Sequence, residues 1–314
     1  MGTIIDRVAV ARPRWRDRHS ALHLAVTAGK DCLRRAGREA HELDLVVNAG
    51  IYRDRNLGEP ALAALIQDDI GANPEDPHAG AHGTFSFDVA NGACGVLTGL
   101  QVVDGFLSSG AVQLALVVTS DADPGHGMSE RFPFSAAGAA LLCRWTDEDY
   151  GLSPVSWSNA EEPMAEAPSF SATVGFADSR NVLRFDQSGD MDDRFAAAAA
   201  FAACACLDAQ AVRLADVDVI VAAPARPGYH SSLGRRLGVP VGKIAVADDQ
   251  RMPTAALTAA FGRQAETLPA GARILFVVAG AGTTGGAALY RHPPSAFAVS
   301  GSGCTARKVS QWSN

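Results

Sequence analysis

Two segments of this chain, one in each half, repeat the same residue pattern. Residues 41–47 (HELDLVV) parallel residues 215–221 (ADVDVIV). Each segment follows a predicted helix, places an aspartate at the start of an apolar run, and leads through a loop to another helix. The apolar run at 114–119 likewise has a counterpart at 274–278. A chain that repeats an α/β unit in this way is predicted to build two similar sheets that face each other.

Helices that alternate with apolar runs indicate mostly parallel sheets, because parallel strands need a crossover connection. The chain has 31 glycines and only 7% aromatic residues, which favours close packing of helices on sheets. We therefore predict an α/β fold, a duplicated five-layer α-β-α-β-α sandwich. Its N-terminal half covers 1–160, a connection covers 161–190, the C-terminal half covers 191–292, and 293–314 form a flexible tail. The polar stretch 151–190 is predicted to be irregular.

Charge and composition exclude several classes of function. The net charge of −7 and the pI near 5.6 disfavour a nucleic-acid partner, which would need a basic face. No apolar run is long enough to span a bilayer, so no membrane partner is expected. The first six residues lack the features of a signal peptide, and the six cysteines form no Cys-x-x-Cys pair. We expect reduced thiols and a cytoplasmic location.

Two motifs suggest bound groups but lack the surroundings that such groups require. Gly280, Gly282 and Gly285 follow a predicted strand with the spacing of a dinucleotide-binding loop, yet another strand follows where a helix is needed. His78 and His82 are four residues apart, as are two further histidines at 19 and 23, but no third ligand is evident. We expect neither a nicotinamide cofactor nor a metal site.

A third set of motifs carries a family resemblance. The segment 87–95 (FDVANGACG) heads a predicted helix, and SGAV at 109–112, ALVVTSD at 115–121 and GAGTTGGAAL at 280–289 follow in order. In sequence and spacing they closely resemble the β-ketoacyl-ACP synthase III family of the thiolase superfamily, from about residue 20 to 291. The resemblance implies a thiolase-like sandwich and a dimer. It also implies acyl-CoA or acyl-ACP as substrate, with no cofactor.

The catalytic residues that the resemblance implies are replaced in this chain. The family uses a cysteine at a helix start, with a histidine and an asparagine that stabilise charge on the thioester carbonyl. The corresponding positions hold Ala93, Ala223 and Pro253, whose side chains offer no nucleophile or hydrogen-bond donor. Cys94 stands one place after the cysteine position, which turns its side chain by about 100° at a helix start.

These observations predict a ketosynthase III-like protein of acyl-thioester specialised metabolism that lacks the condensing triad. One hypothesis is a non-catalytic subunit, in a homodimer or in a heterodimer with an active ketosynthase paralogue, or a protein that binds an acyl group or an acyl carrier protein. The alternative is a repurposed acyltransferase that acts on acyl-CoA or acyl-ACP, with Cys94 as candidate nucleophile.

Five residues are predicted to bind substrate, namely Trp15, Arg16, Arg226, Gly280 and Gly282. Trp15 and Arg16 lie in a basic loop that could stack on an adenine and contact phosphates. A solvated basic loop that contacts no ligand is an equally good interpretation of the same residues.

Overall fold

The computed structural model describes residues 1–14, 19–73, 83–125, 127–159, 169–177 and 180–294. Its strands are β1 (Gly2–Ala11), β2 (Leu45–Asn48), β3 (Phe85–Asp88), β4 (Leu114–Asp121), β5 (Ala137–Thr146), β6 (Gly151–Leu152), β7 (Ser156–Asn159), β8 (Ser169–Ala177), β9 (Arg180–Ser188), β10 (Val219–Ala223), β11 (Ile244–Ala245), β12 (Arg273–Gly280) and β13 (Thr284–Arg291). Its α-helices are α1 (Ala21–Ala36), α2 (Leu62–Ile70), α3 (Gly95–Ser108), α4 (Asp192–Ala209), α5 (Pro227–Leu237) and α6 (Ala256–Ala265).

The strands form two mixed sheets and one hairpin. The first sheet has the order β1-β5-β4-β2-β3, and the second has the order β11-β10-β12-β13-β6, with β7 also paired to β13. In both sheets the repeated strand, β2 or β10, lies parallel to its neighbour β4 or β12, and the next strand returns antiparallel. The duplication predicted from sequence is therefore present in the strand order itself.

Helices cover both faces of each sheet. Helices α1 and α2 pack on the outer face of the first sheet, and α4 and α5 on the outer face of the second. Helices α3 and α6 lie between the sheets, where Leu97, Leu100 and Phe261 are buried. The close approach of α3 to the first sheet depends on small residues, since a Cβ at Gly99 would lie 3.1 Å from the side chain of Val117 on β4. The predicted five-layer sandwich is confirmed.

The aspartate of the repeat has the same role in both halves. Asp44 precedes β2 and accepts hydrogen bonds from the backbone N–H groups of Gln113 (2.6 Å) and Leu114 (3.0 Å) at the start of β4. Asp218 precedes β10 and accepts one from Arg273 N (2.7 Å) at the start of β12. Each carboxylate thus fixes the start of the neighbouring strand, which explains why the pattern recurs.

The stretch 151–190 differs from the prediction of an irregular connection. Strands β6 and β7 pair with β13, so residues 151–159 belong to the second sheet although the predicted boundary placed them in the first half. Strands β8 and β9 pair with each other as a hairpin. Residues 171–175 of β8 are all exposed, so they lack the apolar alternation from which a strand is predicted.

Two further expectations concern the ends of the chain and the membrane. Beyond Pro294, the predicted tail lies outside the described residues. Within the described ranges, no helix combines the length and apolar character needed to cross a membrane.

Candidate functional site

A cavity of about 460 Å³ opens between the two halves, at the N-terminal ends of both central helices. The turn before α3 contributes one wall, and the turn before α6 contributes the opposite wall. The wall residues from these two turns are Asn91, Gly92, Ala93, Met252, Pro253 and Thr254. The duplicated fold thus brings two equivalent helix starts to one ligand-sized space.

Two of the three positions predicted to correspond to the catalytic residues of the synthase III family line this cavity. Ala93 stands on the side of α3, and Pro253 faces it from the side of α6. Ala223 is fully buried at the end of β10, and its neighbour Pro224, joined to it by a cis peptide bond, lines the cavity instead. None of these three side chains can donate or accept a proton.

Cys94 is buried and is not among the cavity-lining residues. Its Sγ lies 3.8 Å from the carbonyl oxygen of Thr284, and a Cβ added to Gly280 would meet this sulfur at 3.1 Å. Burial raises the pKa of the Cys94 thiol to about 12, because the thiolate would be desolvated. The short 3-10 turn Gly92–Cys94 rotates successive side chains to different sides, so that Ala93 lines the cavity and Cys94 packs behind it.

A buried carboxylate fixes the cavity wall on the side of α6. Asp121, at the end of β4 in the first half, accepts hydrogen bonds from the backbone N–H (3.0 Å) and the hydroxyl of Thr254 in the second half. Its other oxygen accepts from the N–H groups of Ile51 (3.2 Å) and Tyr52 (3.0 Å), which line the same cavity. Asp121 is fully buried, and desolvation raises its pKa. One side chain therefore holds two wall segments.

Four aromatic rings pack beside the cavity. Tyr52 stacks on Phe134 with ring centroids 5.0 Å apart, and Phe132 and Phe185 pack against this pair at 5.5 to 6.0 Å. Phe185 belongs to β9, and Ser171 of the paired strand β8 lines the cavity. The aromatic cluster thus fastens the hairpin to the outer side of the cavity.

Two arginines also line the cavity. Arg226 caps the start of α5, and its Nε lies 2.5 Å from Oδ1 of Asp192, a buried residue at the start of α4. Arg251 precedes the α6 turn, where its N–H donates to Asp249 Oδ1 (3.0 Å) and its carbonyl accepts from Ser135 N (3.0 Å). The substrate-binding residues predicted from sequence include Arg226 but not Arg251.

The residues that sequence reasoning missed are Asp121, Tyr52 and Arg251. Asp121 carried a usable signal, because a carboxylate that closes an eight-residue strand of wholly buried residues needs donors of its own. Tyr52 and Arg251 lie in loops and carry no comparable signal. Their place at the cavity follows from the packing of the two halves.

Comparison with known proteins agrees with this architecture, although no protein-family model matches the chain. The β-ketoacyl-[acyl-carrier-protein] synthase III of Clostridium novyi is 31% identical over 156 residues, which are 48% of this chain and 44% of that protein. The chain thus matches under half of that relative's length. The corresponding synthase of Koribacter versatilis is 26% identical over 324 residues, covering 92% of this chain and 88% of the relative.

Solved structures share the whole fold. The priming β-ketosynthase of the R1128 polyketide pathway superimposes with a TM-score of 0.77 at 19% identity, covering 94% of this chain and 97% of that one. The synthase III of Pseudomonas aeruginosa superimposes with a TM-score of 0.74 at 19% identity, covering 93% and 99%. The chain has the fold of these β-ketoacyl synthase structures. Its thiolase-like fold, predicted from the motifs, is confirmed.

The other predicted substrate-binding residues are placed differently. Gly280 lines the cavity and lies against the start of α3. Gly282 is exposed, adopts a left-handed backbone (φ +73°) and is not a lining residue. Trp15 and Arg16 lie outside the described residues.

The histidine pairs were considered as metal ligands. His78 and His82 lie outside the described residues. Within the ranges that the structure describes, no group of three or more His, Cys, Asp or Glu side chains could hold a metal ion.

Proposed function

We propose that this chain is an acyl-binding, non-catalytic synthase III-like subunit. The observation that carries the proposal is the cavity of about 460 Å³ at Ala93 and Pro253, whose described walls include no cysteine. A protein that kept only a scaffold role would have no need of an open space there, since packing into it would add stability. The walls are largely apolar, as an acyl chain requires.

The position of Cys94 supports binding over acyl transfer. A cysteine nucleophile needs a thiolate that the thioester can reach. Cys94 is buried, and its pKa is raised to about 12. Its Sγ contacts a backbone carbonyl oxygen, which cannot act as a general base to deprotonate the thiol. These properties favour a structural role for this thiol.

The decisive experiment measures binding and covalent transfer separately. We expect octanoyl-CoA to bind the purified chain in calorimetry, with no CoA release and no mass increase of the intact protein. The variant Ala93→Cys places a thiol at the start of α3, on the cavity wall. We expect this thiol to gain an octanoyl adduct with release of CoA, which would show that the acyl group binds beside the start of α3. Cys94→Ala is the matched control, expected to bind like the wild type.

Three outcomes would contradict the proposal. An octanoyl adduct on Cys94 of the wild type, or turnover that Cys94→Ala abolishes, would establish the acyltransferase alternative. Absence of binding across acyl-CoA and acyl carrier protein substrates would remove the acyl-binding role altogether.

An exposed sheet edge supports the subunit part of the proposal. Strand β3 is the edge of the first sheet, and Phe85 on it is 58% exposed. Phe85, Phe87 and Phe106 form an aromatic patch with ring centroids 5.3 to 6.5 Å apart. Edge strands with unpaired backbone groups, flanked by apolar patches, are typical of interfaces. A second subunit of the same fold, either another copy or an active ketosynthase paralogue, is the proposed occupant.

This part is tested by measuring mass in solution. We expect Phe85→Lys to convert a dimer of this chain, or its complex with a co-expressed paralogue, into separate subunits. Phe201→Lys is the matched control, because Phe201 on α4 is 70% exposed and lies on an outer layer. A wild-type chain that is monomeric alone and binds no paralogue would contradict the subunit role.

A further inference from the structure

The charged side chains that line the cavity are of one sign. Arg226 and Arg251 are lining residues, and no Asp or Glu is among the described side chains of the wall. The thioester group itself is neutral and gains little from two guanidinium groups, whereas an anionic group, such as a carboxylate or a phosphate, gains from both. The arginines therefore carry information about the ligand beyond the apolar walls.

The guanidinium of Arg226 forms ion pairs with two aspartates. Asp192 contacts its Nε at 2.5 Å and is itself buried, with only 11% of its side chain exposed. Asp190 contacts another nitrogen at 3.4 Å and is 72% exposed. Because a guanidinium has five N–H donors, these two contacts leave several for a ligand. A side chain anchored at Nε presents its remaining donors as a fork, the geometry that suits a carboxylate.

Arg251 is placed by its backbone. Its N–H and carbonyl are both hydrogen-bonded, to Asp249 and to Ser135 of the other half, so the residue is fixed beside the cavity while its side chain stays exposed. Within the described ranges its guanidinium makes no ion pair. Arg251 therefore adds a second positively charged side chain to the cavity wall, and this side chain is exposed to solvent.

The helix starts add to the same polarity. The first turns of α3 and α6 both begin at the cavity, where Ala93 and Thr254 line it, and helix N-termini favour negative charge. Apolar side chains, Met191, Phe195 and Met252 among them, line the same cavity. The cavity thus combines two guanidinium groups with apolar wall residues.

We infer that the cavity binds a free carboxylic acid with an aliphatic chain, whose carboxylate pairs with Arg226 and Arg251. This inference rests on the proposed acyl-binding function and names the head group that the two arginines recognise, the carboxylate of the free acid. The aliphatic chain lies against the apolar wall, and the carboxylate stays at the end where Arg226 is 36% exposed. Such an amphiphile can contact both the guanidinium groups and the apolar wall residues, while an uncharged aliphatic chain can contact only the apolar wall residues.

The test compares ligands that share a chain and differ in the head group. Calorimetry on the full chain is expected to give at least tenfold tighter binding for octanoate than for octanol. Arg226→Gln is expected to weaken octanoate at least tenfold and to leave octanol nearly unchanged. Arg236→Gln is the matched control on the same helix, since Arg236 pairs with Asp193 at the surface. Asp190→Asn removes a competing acceptor and is expected to tighten octanoate binding severalfold.

Several results would overturn the inference. Equal affinity for octanoate and octanol would do so, as would an Arg226→Gln protein that binds octanoate like the wild type. Competition by CoA alone that depends on Arg226 would assign the arginine to phosphate recognition. Should Arg226→Gln fail to fold, Arg251→Gln, at an exposed side chain, provides the same comparison. Binding of octanoyl-CoA without binding of octanoate would sink this inference and leave the proposed function standing, whereas loss of both would remove the two together.

Discussion

The turns that lead into the two central helices are equivalent in the repeat, but they are held in different ways. The turn before α6 is bonded to the other half through Asp121, which binds both the N–H and the hydroxyl of Thr254. The turn before α3 meets the other half through the packing of Cys94 against Gly280 and through the weak thiol contact of Cys94 Sγ with the carbonyl oxygen of Thr284 (3.8 Å). The hydrogen bonds from Asn91 to Thr98 and from Thr98 to the carbonyl of Cys94 stay within the first half.

This difference explains how the cavity keeps its shape with Ala93 and Pro253 in its walls. Neither turn depends on the side chain at those positions, since one is fixed by Asp121 and the other by close packing at Gly280. The space around Ala93 and Pro253 therefore does not depend on which side chains stand at these two positions. The framework and the chemistry of the site are separable.

The largest effect is expected from Asp121→Ala, which removes the bond between the halves. The buried N–H groups of Ile51, Tyr52 and Thr254 would lose their acceptor. We expect the free energy of unfolding to fall by roughly 3–5 kcal/mol, because each unsatisfied buried donor costs about 1–3 kcal/mol. Chemical denaturation measures this change. A loss below about 1 kcal/mol would show that water replaces the carboxylate and that the α6 turn needs no tether.

The packing contact on the α3 side is expected to have a smaller effect. Gly280→Ala places a Cβ 3.1 Å from the Cys94 sulfur, and overpacking of this kind costs about 1–3 kcal/mol. Combining it with Cys94→Ala makes room for the new methyl group. We expect a coupling of about 1 kcal/mol in a double-mutant cycle from denaturation curves. Additive losses would mean that the two residues do not support each other.

Substituting the two repeated aspartates tests whether they contribute equally to the free energy of unfolding. Asp44 accepts two backbone hydrogen bonds and Asp218 accepts one. We expect Asp44→Ala to lower the free energy of unfolding by about 2 kcal/mol and Asp218→Ala by about 1 kcal/mol, because charge-assisted bonds are stronger than neutral ones. If the order is reversed, the number of strand-start bonds does not determine the stability of each half.

The smallest effect concerns the Cys94 thiol, which we expect not to react with an alkylating reagent. Since its pKa is raised to about 12, the thiol stays protonated between pH 7 and 9, and iodoacetamide labelling should remain slow over that range. The exposed Cys204 provides the internal comparison in peptide mass mapping. In Ala93→Cys, the new thiol in the cavity is expected to label faster than Cys94. Rapid labelling of Cys94 at pH 7 would contradict the buried position.

The sequence by itself determined the frame of this protein. The repeat of an aspartate before an apolar run predicted two related sheets, because hydrophobic periodicity is a local property. The motif at 87–95 also placed Ala93 and Cys94 at a helix start. The hairpin and the pairing of β6 and β7 with the second sheet were not predicted, since the exposed residues 171–175 leave no alternating pattern and strand pairing depends on distant parts of the chain.

The tertiary structure decided what surrounds the cavity. Asp121 and Thr254 are separated by 133 positions and become partners only when the halves pack. Arg226 and Arg251 meet at one cavity for the same reason. Local pattern cannot reveal which side of a helix start faces a cavity or which distant side chains share it, because these depend on contacts between elements far apart in the chain.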